Sequence, residues 1–133
     1  MTRLRVILLI VAVSQLVLGL AVISVPGPFL ATMGLSVPPA DTNYMLGMLG
    51  ARFLAYGIGM LALARSAAPD PLWIRNMVLV QLIDLAAGLY YLGTGVIGIR
   101  TAAFPMFNAA LFASLLWLWQ PRARSGAAAP EAL

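Results

Sequence analysis

Histidine and cysteine are both absent from this 133-residue chain. With them go the usual ligands of haem iron, zinc, copper and iron–sulfur clusters, the commonest general base and the thiolate nucleophile. Disulfides are excluded, and cysteine usage carries no signal about redox compartment. Lysine is missing too, so all eight positive charges are arginines. Acids are scarcer still: Asp41, Asp70, Asp84 and Glu131 are too few and too scattered for a carboxylate metal cluster. No metal site and no cofactor are expected. Charged residues make up only 9% of the chain and hydrophobic ones 62%. Soluble domains carry roughly 25% charged residues, so this chain cannot cover a water-facing surface. A soluble enzyme, a disordered protein and a nucleic-acid-binding domain are thereby excluded. The pI near 10.4 accompanies a mean hydropathy of +0.98. The arginines sit singly or in pairs beside apolar runs, which points to membrane topology rather than to nucleic acid.

About 20 helical residues at 1.5 Å each cross a hydrocarbon core of roughly 30 Å. Four apolar runs meet that length, at about residues 4–25, 44–64, 73–93 and 102–119. In lipid the backbone must satisfy its own hydrogen bonds, so each run is expected to be helical. The first run follows Arg3 and Arg5, as a signal peptide would. Its apolar core is longer than the typical 7–15 residues and no A-x-A site follows it, so a retained transmembrane helix is expected. Pro26, Pro28, Pro38, Pro39, Pro69, Pro71 and Pro121 lie between or after the runs, and Pro105 is expected in the first turn of the last helix, where its missing N–H costs little. The expected fold is an all-α, single-domain four-helix transmembrane bundle over residues 1–120, antiparallel and up-down-up-down. Residues 121–133, RARSGAAAPEAL after Pro121, read as a disordered tail.

Arginine placement sets the orientation. Arg3, Arg5, Arg65, Arg75, Arg122 and Arg124 fall on one side, and only Arg100 on the other. The positive-inside rule then puts both termini in the cytoplasm, across a bacterial inner membrane. Trp73, Trp117 and Trp119 would mark the cytoplasmic interface, with Tyr44, Tyr90, Tyr91 and Phe104 at the other. The outer segment PFLATMGLSVPP is too apolar for a simple solvated loop and is expected to form a short interfacial helix or turn stopped at Gly34. The short loop ARSAAPDPLW should make the second and third helices antiparallel neighbours.

Two charges fall inside spans, Arg52 in the second and Asp84 in the third. Each costs on the order of 2.5–3.5 kcal/mol at the bilayer centre. Their expected depths differ by only about 2 Å, so an Arg52–Asp84 ion pair is the natural expectation. Tyr56 shares the face of Arg52, and Gln81 that of Asp84. Gln15 and Asn108 bring hydrogen-bonding groups to similar depth from the first and fourth helices. Such a cluster can act as glue between helices, or line a polar cavity for a quinone, lipid head group or other small molecule. A proton path through Asp84 is the weakest of the three readings, because an acid paired with arginine stays ionised and a relay needs more stations. Gly47, Ala51, Ala55 and Gly59 recur every four residues in the second helix, a small-residue stripe suited to close helix packing.

The stretch MGLSVPPADTNYMLGMLGARFLAYGIGMLALARS resembles the DoxX-like group of small bacterial four-helix membrane proteins. In that group a proline-containing outer loop leads into a glycine-rich second helix bearing an arginine, the place that Arg52 fills in LGARFLAYGIGML. The helix VQLIDLAAGLYYLGTGVIG resembles the group's acid-bearing third helix through Asp84, and the likeness covers about residues 30–98. Some members are associated with quinone-linked membrane oxidoreductases, which implies an accessory role; the absence of cysteine speaks against thiol-redox chemistry. With almost no catalytic side chains, the chain reads as a non-catalytic accessory or structural subunit of a larger integral membrane complex, one of energy-transducing type. Its partners would be the lipid bilayer and other membrane subunits. The alternative is a carrier that binds a small molecule, quinone or lipid in an intramembrane Arg–Asp cavity.

Overall fold

The computed structural model describes residues 2–121. Among them are five α-helices: α1 (Arg3–Ser24), α2 (Pro26–Thr32), α3 (Asn43–Arg65), α4 (Pro71–Gly93) and α5 (Ile99–Trp119), with a single 3₁₀ turn at Ala40–Thr42 before α3. The long helices α1, α3, α4 and α5 are each long and apolar enough to cross a membrane. The expected tail lies outside the described residues from position 122 onward.

Helix ends follow local chemistry. Thr2 caps α1, its hydroxyl accepting from the Arg5 N–H, and Asp70 caps α4 with its Oδ1 accepting the Leu72 N–H at 2.8 Å. Pro26 and Pro71 open α2 and α4, where the absent N–H has no intrahelical partner to lose. The expected stop at Gly34 is a Schellman turn: Leu35 N–H reaches Leu30 O and Gly34 N–H reaches Ala31 O, with Gly34 at φ +75°. Gly95, at φ +74°, ends α4 in the same way through Val96 N–H to Tyr91 O. The fourth span begins at Ile99 rather than near residue 102, so Pro105 is interior to α5 instead of in its first turn. Its ring leaves the Thr101 carbonyl without the amide that a helix would supply from position 105.

Packing is uneven. α1 lies along α3, α4 along α5, and α1 also touches α5, whereas α3 and α4 meet only lightly despite their short connection. The reason is where each helix is thin. A Cβ at Gly50 would lie 2.5 Å from Ile23 Cγ1, one at Gly57 2.7 Å from Leu16 Cγ, and one at Gly19 2.8 Å from Leu54 Cγ. α3 therefore presents its close-approach face to α1. Likewise a Cβ at Gly88 would come within 2.7 Å of Met106, so α4 is thin toward α5. Of the stripe expected at Gly47, Ala51, Ala55 and Gly59, Ala51 and Ala55 are exposed, nothing lies within 4 Å of a Cβ at Gly47, and Gly59 meets Trp73 of α4 rather than α1. A glycine-rich helix carries several small-residue stripes at once, and spacing alone does not say which one meets a neighbour.

The core sits at one end. It joins Leu8 and Val11 of α1, Met60 and Leu63 of α3, Ile74 and Met77 of α4, and Phe112 and Leu116 of α5. These are the early residues of α1 and α4 and the late residues of α3 and α5. Two hydrogen bonds tie the same end: Arg5 Nη2 donates to Ser66 O at 3.3 Å, and Arg75 Nε donates to Gln120 Oε1 at 3.0 Å. Arg3, Arg5, Arg65 and Arg75 thus share the end with Trp73, while Tyr44, Tyr90, Tyr91 and Phe104 are all exposed away from this core.

Candidate functional site

The six polar residues expected to cluster are spread over four helices: Gln15 on α1, Arg52 and Tyr56 on α3, Gln81 and Asp84 on α4, and Asn108 on α5. Near their joining loop α3 and α4 are stitched together. Asn76 Nδ2 donates to Tyr56 Oη at 3.1 Å, and Gly59 lies close enough to Trp73 that a Cβ there would sit 3.6 Å from its ring. The indole of Trp73 thus lies in ordinary contact range of α3 at Gly59.

Farther from the loop the two helices carry opposite charges. Arg52 is one turn before Tyr56 and shares its face; Asp84 is eleven residues, about three turns, beyond Trp73 and shares its face. Both are exposed. They do not pair: the Arg52 guanidinium donates to its own helix, Nη1 to Met48 O at 3.1 Å, and among the described residues no arginine nitrogen lies within 4.0 Å of a carboxylate oxygen of Asp84. The expected Arg52–Asp84 ion pair is not formed, and α3 and α4 meet only lightly.

Gln15 and Gln81 are each only 4% exposed. Gln81 Nε2 donates to Met77 Sδ at 3.4 Å within α4, a weak acceptor. Gln15 Oε1 is buried with no hydrogen-bond partner, a state that costs about 1–3 kcal/mol when nothing fills it. Asn108 is half-buried on α5. Of the six expected cluster members the structure brings Tyr56 into a side-chain bond across the helices, and its partner is Asn76, which sequence reading passed over. Reflection about the 66–70 loop puts Asn76 opposite Met60, one turn from Tyr56, so the signal was present. The ties of Arg5 to Ser66 and of Arg75 to Gln120 were missed because both arginines read as topology markers alone.

Beside Trp73 an open apolar groove with about 380 Å³ of space is lined by Gly59, Ala62, Leu63, Ser66 and Trp73. No family model, no curated protein and no solved structure matches this chain.

Proposed function

We propose that this chain is a non-catalytic accessory or structural subunit of a larger integral membrane complex. It would cross a bacterial inner membrane four times, antiparallel and up-down-up-down, with both termini cytoplasmic. The reversed pairing of α1 with α3 supports the topology: Leu16 meets Gly57 while Ile23 meets Gly50. The gathering of Arg3, Arg5, Arg65 and Arg75 at one end, with Arg100 at the start of α5, supports the orientation.

One observation carries the subunit reading. Arg52 and Asp84 stand exposed, deep in the spans of α3 and α4, and do not pair with each other. Left to lipid, each costs on the order of 2.5–3.5 kcal/mol. Polar transmembrane segments of other subunits, packed against α3 and α4, would satisfy both. The likeness to the DoxX-like group points the same way, toward an accessory role in an energy-transducing complex.

Purification from native membranes, with mass spectrometry of whatever accompanies the chain, tests this. A stoichiometric membrane companion is expected, lost in Arg52→Leu/Asp84→Asn while helicity is retained. A chain that always purifies alone as a stable monomer contradicts it. A second reading, a carrier for a quinone, lipid or other small molecule, is favoured by the orphaned Gln15 Oε1, which could accept from a ligand hydroxyl. Ligand co-purifying with the lone chain and lost in Gln15→Leu would decide for it.

A further inference from the structure

We infer that the groove beside Trp73 is a binding site for an anionic phospholipid, its acyl chain lying on α3 and its phosphate held by Arg5. The inference rests on the membrane orientation proposed above and not on the subunit reading. The groove exists because Gly59 and Ala62 leave α3 thin where the indole of Trp73 stands beside it. Its lining is almost wholly apolar, the character of a site for hydrocarbon. A helix 10–12 Å across would use about 380 Å³ within roughly one turn, so the space suits a single chain and not a packed segment.

The head-group end is equally defined. The groove finishes at Ser66, and the Ser66 carbonyl accepts from Arg5 Nη2 at 3.3 Å, which fixes the guanidinium at the lip. A guanidinium has five N–H donors in a planar fork suited to phosphate, and this bond uses one. Arg65 and Arg75 flank the same connection, Arg75 with its Nε turned to Gln120. The acid of that loop, Asp70, is engaged in capping α4 through the Leu72 N–H. The end is therefore positive beside an apolar slot, with a tryptophan at the level where head group and acyl chain join.

The test uses Trp73 as its own reporter, in a full chain carrying Trp117→Phe and Trp119→Phe, reconstituted in phosphatidylcholine vesicles. Phosphatidylglycerol with brominated acyl chains is expected to quench Trp73 at about fivefold lower membrane fraction than brominated phosphatidylcholine. Arg5→Gln should bring that ratio to one. Ala62→Phe, which fills the slot and keeps every charge, should do the same, with circular dichroism checking that each variant remains helical. Equal quenching by both lipids overturns the site alone, as does a preference that survives both substitutions. No quenching by either lipid overturns the site and the placement of Trp73 at the membrane together.

Discussion

Glycines 19, 50 and 57 decide how close α1 and α3 can come, because at each a Cβ would fall inside 3.0 Å of the neighbouring helix. Gly50→Ala and Gly57→Ala should each lower stability by about 1–3 kcal/mol through overpacking. Gly47→Ala, on the open side of the same helix, should be neutral or slightly stabilising, because it meets nothing and gains helix propensity. Thermal unfolding in detergent separates the two groups; equal losses at all three positions would contradict the interface. The Tyr56–Asn76 bond is expected to contribute about 0.6 kcal/mol, the usual size for an interhelical hydrogen bond in a membrane bundle. Tyr56→Phe combined with Asn76→Leu in a double-mutant cycle measures it. The same cycle on Arg52→Leu and Asp84→Asn in the isolated chain should show additive losses, since the two charges do not touch there. A coupling energy well above 0.5 kcal/mol would mean that they meet.

At the scale of the helices, length and hydropathy were enough to find all four spans, and three of them begin and end within two residues of expectation. The fourth was set too late because Ile99, Arg100 and Thr101 look like loop, and Gly98 provides no side-chain cap to mark the start. The Gly34 stop was readable from glycine chemistry; Gly95, which makes the same turn after α4, had the same signal and was overlooked. What the sequence could not reveal was facing. A membrane helix is apolar nearly all round, so the one-sided pattern that orients a soluble helix is missing. Spacing alone therefore does not separate the stripe at Gly47, Ala51, Ala55 and Gly59 from Gly50 and Gly57, which meet α1, and a short connection does not make α3 and α4 pack closely. Placement within a span, by contrast, follows from counting residues, and Arg52 and Asp84 both lie inside theirs. The cap on α4 yields a further prediction: Asp70→Ala should cost about 0.5–2 kcal/mol, read as a lower unfolding midpoint.

For the whole molecule, the uneven packing has a physical consequence. Four helices share one apolar core at the basic end, while α3 and α4 meet only lightly and carry an exposed, unpaired arginine and aspartate in their spans. Those exposed charges underlie the proposal that something outside this chain covers them. The absence of cysteine makes their separation directly measurable, because paired cysteines can be introduced and spin-labelled without background. The decisive measurement is the interspin distance in lipid nanodiscs for labels at positions 52 and 84, set against labels at 59 and 73. The expected result is a clearly longer distance at 52 and 84 than at 59 and 73. Equal or shorter separation at 52 and 84 would mean that α3 and α4 run together along their length with Arg52 and Asp84 in contact, and would contradict the unpaired state of the two charges.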